Sequence, residues 1–459
     1  MKRRWIHSLM ILYSILGLCQ LQPLIQESEQ LASQWVEIVQ GEVKGSIVGE
    51  DGKPVIAQLR FFDSDGALIK RIQTDIDGNF EILLDEGHYN LEVSKGYEYE
   101  MKQVPIEVKK ENPLNLKSIS LTRLMDWTAK SYLCGDLHQH SQFSDDGLNT
   151  VEEVLIANLA NGLDFGAMAD HNTVDGNDEW LSLSQKLSYL AIPAQEITTN
   201  QGHYLALNTS NLIDVTALTS EDEIDQMIDE THHQGGMIQI NHPGRNFSFW
   251  NVGGQFDAIE IWNGQAMPPI PNLNDIDEEF AYNQISKQKW FDLLSEGVKI
   301  TALGNSDNHD ISSESITAPI SENEQFNEWI AQGLYNGNPR NYVKVEEESV
   351  EGILKGIKDG HVFITNGPLM DVTLNEATFG DRVVSTNEAE ISYLIASNQG
   401  SLEALNVIAD GQVIETIPLA EDVPTLGTIN LNLSNYQWVV FEVISKSYEY
   451  AISNPIYLK

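Results

Sequence analysis

The sequence predicts an α/β protein whose central unit is flanked by N-terminal and C-terminal small β-sandwich domains. Three observations predict it. Between about residues 130 and 367, short apolar runs alternate with helix-opening signals, and strands alternating with helices favour mainly parallel pairing. Before that stretch, short alternating strands are punctuated by tight turns, and after it strand-like runs return. Lastly, His, Asp and Glu collect where the central apolar runs end. A barrel explains this better than an open sheet, because its strand ends converge on one face.

A chain of 459 residues has room for about three domains at about 150 residues each. Its 27 Lys and Arg stand against 68 Asp and Glu, a formal net charge of −41. Such a charge disfavours nucleic acid as a partner, since phosphates would be repelled rather than neutralised. It fits a solvated acidic surface, or a local field that draws divalent cations to a site. The only cysteines are Cys19 and Cys134. A disulfide framework is therefore excluded, and any metal must be held by imidazole and carboxylate.

Lys2, Arg3 and Arg4 precede an apolar run from about Trp5 to Leu18. The run is too short for a comfortable membrane span and reads as a secretory signal within residues 1–25. It ends Leu16-Gly17-Leu18-Cys19, which resembles a bacterial lipobox, with Leu18 where a small residue is usual. The expectation is an exported bacterial protein, whether periplasmic, secreted or an outer-surface lipoprotein. Ordinary cleavage and lipid attachment at Cys19 both stay open, as does a retained amphipathic N-terminal helix.

Over residues 42–125, turns at Asp51-Gly52, Asp65-Gly66, Asp77-Gly78 and Glu86-Gly87 join short strands, the mark of an antiparallel sandwich. The stretches Gly45-Ser-Ile-Val-Gly-Glu-Asp-Gly-Lys-Pro-Val55, Thr74-Asp-Ile-Asp-Gly-Asn-Phe80 and Gly87-His-Tyr-Asn-Leu91 resemble carboxypeptidase-regulatory-like domains. That resemblance implies a small scaffold module without catalysis. Over residues 368–459, runs such as Glu390–Ile395, Ala404–Ala409 and Trp438–Val443 predict a second small β domain.

In the centre, Thr150-Val-Glu-Glu153 and Ser220-Glu-Asp-Glu223 are capping-box sequences. Ile224, Met227, Ile228 and Thr231 continue the second at helical spacing. Gly297 and Gly360 stand where helix C-caps belong.

The apolar runs lead into the chemistry. Tyr132-Leu133 leads to Gly135-Asp-Leu-His138-Gln-His140 and on to Ser144-Asp145-Asp146-Gly147. Phe165–Ala169 leads to Asp170-His171, Leu190–Gln195 to Glu196, and His203 opens the next strand. Met237–Asn241 leads to His242-Pro-Gly-Arg245, and Ile300–Ser306 to Asp307-Asn-His309. The pairs His138/His140 and Asp307/His309 are spaced i, i+2, so on extended backbone each pair points to one face. Imidazole and carboxylate suit Zn, Mn or Fe, and the absence of thiolates argues against a purely structural zinc site. His203 also reads as a core or supporting histidine. Asp170 reads as a hydrogen-bond partner orienting His171. Asp145 and Asp146 compete for one role, which spacing does not divide.

These motifs, in this order, resemble the PHP (polymerase and histidinol phosphatase) superfamily of metal-dependent hydrolases. The layout is similar to its carbaryl-hydrolase-like branch, with a segment Gly360-His-Val-Phe-Ile-Thr-Asn-Gly-Pro368 and a terminal Ser453-Asn-Pro-Ile-Tyr457. The resemblance implies a distorted (β/α)7 barrel holding two or three divalent ions. It assigns His138, His140, Glu196 and Asp307 to one metal. Glu196 bridges to a second with His242 and His203, and Asp145, His171 and His309 hold a third. Two departures stand out: Ala169 replaces the usual Thr before Asp-His, and a second Asp precedes Gly147.

Clustered divalent metals lower the pKa of bound water and polarise a substrate oxygen. The expected nucleophile is metal-bound hydroxide, with no Ser or Cys nucleophile, and a ligand histidine or nearby carboxylate returns the proton to the leaving group. His138, His140, Glu196, Asp307 and Arg245 are the candidate catalytic residues, Arg245 as a clamp for phosphate or carboxylate or else an ordinary surface ion pair. The expected substrate is a small phosphate ester. The alternatives are a carboxylic or carbamate ester, or a surface binding protein that keeps metal for stability alone; charge and signal segment argue against a polymerase-associated role. His232-His233 reads as a favourable helix C-terminus. Trp250 and Trp262 read as core or as a pocket wall, Cys134 as a buried inert thiol, and His88 and His361 as turn residues.

Overall fold

The computed structural model describes residues 40–245, 255–264, 281–312, 333, 335–384, 386–420 and 424–459. The signal segment, Cys19 and Trp250 lie outside them. The architecture is mixed α/β, rich in sheet and with few helices among the described residues.

Seven strands come first: β1 (Gln40–Gly49), β2 (Gln58–Phe62), β3 (Leu68–Gln73), β4 (Asn79–Asp85), β5 (Gly87–Ser94), β6 (Lys102–Val108) and β7 (Leu114–Leu121). They form two sheets, in the orders β4-β1-β7 and β3-β2-β5-β6. Alternation puts Val43, Ile47, Leu59, Phe61, Phe80, Leu91 and Val93 into one core shared by both sheets. Asp63 and Asp75 each accept two backbone N–H groups across their turns. Gly78 carries φ 74°, and a Cβ there would stand 2.5 Å from the Ile47 carbonyl oxygen, so only glycine fits.

The centre holds β8 (Tyr132–Asp136), β9 (Phe165–Met168), β10 (Leu190–Thr199), β11 (Gly202–Leu207), β12 (Met237–Ile240), β13 (Ala258–Asn263) and β14 (Thr301–Asn305). β8, β9 and β10 pair in parallel, as do β12, β13 and β14. β11 runs against both its neighbours, closing a hairpin with β10 in which Thr199 faces Gly202. Beyond β14, Asn308 bridges back to Gln139 in parallel, and Asp307 N–H donates to the His138 carbonyl at 2.8 Å. The run of strands thus returns to its start.

The helices Val151–Ala160, Asn177–Lys186, Glu221–His233, Tyr282–Ser295 and Val350–Asp359 connect these strands. Thr150 and Glu153 form the expected capping box, and Gly360 ends its helix at φ 80°. Ser220 makes no side-chain cap. Glu223 instead accepts the N–H and hydroxyl of Thr219, one residue earlier.

β15 (Arg340–Lys344) and β16 (Val362–Thr365) continue the sheet from β8. The remaining strands are β17 (Leu369–Leu374), β18 (Arg382–Val383), β19 (Ala389–Ala396), β20 (Leu402–Ala409), β21 (Gln412–Pro418), β22 (Thr425–Leu431), β23 (Trp438–Ser445), β24 (Tyr450–Ser453) and β25 (Ile456–Leu458). β17, β19 and β22 form a separate sheet, whereas β24, β23, β20 and β21 extend the central one from β16. The C-terminal strands are therefore hydrogen-bonded into the same sheet as the centre.

The outer edge of β14 is satisfied by side chains that imitate a neighbouring strand. Asn341 accepts from Gly304 N–H at 2.9 Å and donates to its carbonyl at 2.8 Å. Asn454 does the same for Ala302, at 2.7 and 2.9 Å. Both amides are fully buried. Asn454→Ala leaves a buried N–H and C=O without partners, and should cost about 1–3 kcal/mol per group; urea unfolding of the variant against wild type checks this.

The N-terminal sheets are tied to the centre by Lys95, whose ammonium donates to the Ile56 and Leu159 carbonyls at 3.0 and 2.8 Å. Arg340 stacks on Tyr97 at 4.1 Å and donates to Asn161 O. Beside them, burial pushes the Asp164 carboxyl up to about 6, although it accepts Cys134 N–H. Between about pH 4 and 6 the folded chain keeps a proton there that the unfolded chain releases, so stability from this residue falls as pH rises through that window. Asp164→Asn retains the acceptor and should stabilise the protein by about 1–3 kcal/mol at pH 7 and much less at pH 4, as read from urea midpoints at both values.

Candidate metal centre

The segments after β8, β9, β12 and β14, together with β10 and β11, deliver polar side chains to one buried cluster. His138 and His140 follow β8, His171 follows β9, Glu196 lies in β10 and His203 in β11. His242 follows β12, and Asp307 and His309 follow β14. His242 and Asp307 have φ of 29° and 49°, left-handed values that cost non-glycine residues about 1–3 kcal/mol each.

Glu196 is the hub. Its Oε1 lies 3.3 Å from His138 Nε2, 3.2 Å from His203 Nδ1 and 3.3 Å from His242 Nε2, and its Oε2 lies 2.9 Å from His171 Nδ1 and 3.6 Å from His140 Nε2. Asp307 Oδ1 stands 3.2 Å from His138 Nε2 and 3.1 Å from His140 Nε2. Four groups have donor atoms all within 4.8 Å of one another: His138/His140/Glu196, His138/His242/Asp307, His171/Glu196/His203 and His140/Asp146/His171/His309. Donors that share one tetrahedral ion at about 2.1 Å stand about 3.4 Å apart, and these separations match.

The electrostatics favour a cation. Burial alone would raise the Glu196 and Asp307 carboxyls, yet the surrounding imidazoles, His138 foremost, hold both well below the usual carboxylate range. Burial would likewise depress His138, but Asp307, Glu196 and Glu260 push it well above its ordinary value. His140 and His242 are lowered by burial. His171 is raised as well, through its contact with Glu196. His138 Nε2 and Glu196 Oε2 are buried and meet their neighbours without hydrogen-bond geometry, as lone pairs do when aimed at a common point. A histidine/carboxylate cluster compatible with metal binding is what these residues form.

Surrounding groups hold the rings. Ser144 Oγ sits 2.9 Å from His140 Nδ1, Thr198 Oγ1 2.6 Å from His171 Nδ1, and His309 Nδ1 2.9 Å from the Asp307 carbonyl. Asp170 does not orient His171 as expected. It accepts the N–H and hydroxyl of Ser141, at 2.7 and 2.8 Å, and so braces the loop that follows His140. Of the two competing acids, it is Asp146 that reaches His309 and His171, at 3.3 and 3.6 Å, while Asp145 joins none of the four groups. Gly147 permits this loop, since a Cβ there would stand 1.9 Å from Ser141 O.

Arg245 reaches the edge of the cluster. It stacks on Tyr282 at 4.7 Å, donates to the Tyr282 hydroxyl at 2.9 Å and lies 3.9 Å from Asp307 Oδ2, with about a third of its side chain open to solvent. Trp262 is core, packed edge-on to Tyr450, and His232 pairs with Asp257. Cys134 is buried with its thiol pushed well up, and His361 lies near Asp381. Glu260 and Asn263 escaped the sequence reading. Glu260 interrupts the apolar run Ala258–Trp262, and an acid inside a buried strand demands a partner; here it is His138 Nδ1, at 3.1 Å.

No family model matches the chain, and no curated protein matches it. Among solved structures, it is similar to a two-domain protein from Bacteroides vulgatus containing a predicted PHP-like metal-dependent phosphoesterase, at 18% identity over 69% of this chain and 92% of that one, with a TM-score of 0.40. It is also similar to an amidohydrolase from Chromobacterium violaceum with bound sulfate and no metal, at 15% identity over 38% of this chain and 87% of that one, TM-score 0.27. Likeness at these TM-scores establishes neither fold nor activity for this chain.

Asp146→Ala should weaken cation uptake at the most exposed group by at least about tenfold, about 1.4 kcal/mol, and Asp145→Ala should leave it within about twofold; metal content after equilibrium dialysis separates the two.

Proposed function

We propose that the protein is an exported metal-dependent hydrolase of the PHP superfamily, built on a seven-stranded barrel and acting on small phosphate esters. The observation that carries this reading is the sharing of Glu196 between overlapping ligand groups, with donors from β10, β11 and the segments that follow β8, β9, β12 and β14. His138, His140, Glu196 and Asp307 would hold the innermost ion, His203 and His242 would join Glu196 beside it, and Asp146, His171 and His309 would hold the outer one. Bound there, divalent ions such as Zn, Mn or Fe lower the pKa of water and polarise the scissile ester.

The chain's own groups do the rest. Strand ends position the donors before any ligand arrives, so little reorganisation is left for the reaction. Arg245 offers a planar fork to an anionic substrate at the cluster's open side, and the Tyr282 ring and hydroxyl keep it aimed there. A phosphate monoester on a protein of net charge −41 needs such a local positive group. That favours phosphate over a neutral carboxylic or carbamate ester. Export rests on the basic start and apolar run before Cys19; among the described residues no helix is long and apolar enough to cross a membrane.

The test is a paired assay of p-nitrophenyl phosphate and p-nitrophenyl acetate on manganese- or zinc-loaded protein, with His138→Ala as blank. Metal-dependent phosphate release, reduced by about tenfold or more in Arg245→Ala, is the expected result. Ester cleavage alone would move the reading to carboxylic esters. Neither activity above the blank would favour a binding protein with a structural metal.

A further inference from the structure

Glu260 is the third buried acid at the cluster, beside Glu196 and Asp307, yet it joins none of the four ligand groups. It lies mid-strand in β13 and is fully buried. Its oxygens are already engaged. Oε1 accepts Asn305 Nδ2 at 2.9 Å and lies 3.1 Å from His138 Nδ1, while Oε2 accepts His242 N–H at 2.9 Å and Asn263 Nδ2 at 3.2 Å. Asn263 Nδ2 also donates to Asp307 Oδ2 at 2.9 Å, so one amide sets the spacing between Glu260 and Asp307.

An imidazole can ligate through either nitrogen, and the partner of one decides which way the other points. His138 has its Nε2 toward Glu196 and Asp307 and its Nδ1 toward Glu260. We propose that Glu260 is a positioning residue: it takes the Nδ1–H of His138 and so presents the Nε2 lone pair to a divalent cation shared with His140, Glu196 and Asp307. This inference rests on the metal reading above. A carboxylate behind a ligating imidazole both fixes the ring and raises its basicity, and its loss typically costs about 10–100-fold in metal affinity. Three backbone and amide donors keep Glu260 in place, so the orientation is built into the fold before any cation arrives.

The experiment titrates the chelator-stripped full chain with Co2+, followed by calorimetry and visible absorption, in wild type, Glu260→Gln and Glu260→Ala. Glu260→Ala is expected to bind about 10–100-fold more weakly than wild type with an unchanged far-UV spectrum. Glu260→Gln, which keeps an acceptor but no charge, should fall between. Wild-type affinity in a folded Glu260→Ala overturns the proposal. So does a lower melting temperature of the stripped variant with unchanged Co2+ affinity, the signature of a merely structural carboxylate. If Glu260→Ala does not fold, Glu260→Gln decides, and affinity equal to wild type overturns the proposal. Wild type that takes up no Co2+ defeats the metal reading itself, a separate failure.

Discussion

The structure depends on how the outer edge of β14 is satisfied. A strand edge inside a protein must pair its N–H and C=O groups or lose about 1–3 kcal/mol for each left bare. Here Asn341 and Asn454 stand in for a neighbouring strand, and Asn305 Oδ1 accepts Leu137 N–H from the segment after β8. Asp136 joins in by accepting Ser306 N–H and Gly337 N–H, at 3.1 and 2.7 Å. These buried contacts bring the end of β14 against the end of β8. Only because they meet do Asp307 and His309 face His138 and His140.

Convergence has an electrostatic consequence. Glu196, Asp307 and Glu260 are all buried, and His138 and His171 are pushed toward the charged form while Arg245 lies beside Asp307. Like charges that close raise one another's energy in a medium of low dielectric, and the left-handed backbone at His242 and Asp307 adds strain. A fold selected for stability alone would carry neither. Backbone strain and buried acids gathered at one point are the physical signs of a candidate functional site.

Much of that site was legible along the chain, for a local reason. Most of the candidate donors follow an apolar run, and a side chain at the end of a buried strand has few places to go but the strand-end face. Turns were legible too, since Asp-Gly pairs act through their own backbone. Less legible was whatever depends on a partner far away. The antiparallel β10–β11 hairpin departs from the mainly parallel pairing that alternating strands and helices predicted. Asp145 and Asp146 are chemically identical neighbours, and only the path of the loop past Ser141 brings the second to His309. Asp170 lies one residue from His171, yet its carboxylate turns to Ser141.

By itself, the sequence determined the donor types, the alternation of strand and helix, and the strand ends from which the donors come. Those properties live in spacings of a few residues, where periodicity and turn chemistry operate. Tertiary structure decided which donors lie together, which acid of a pair reaches the histidines, and that Glu260 stands behind His138 across 122 residues of chain. It also decided that the C-terminal strands complete the central sheet, because hydrogen bonds between β16 and β24 and the amide of Asn454 act across the whole fold. Contacts of that range join segments far apart in the chain, and no local pattern encodes them.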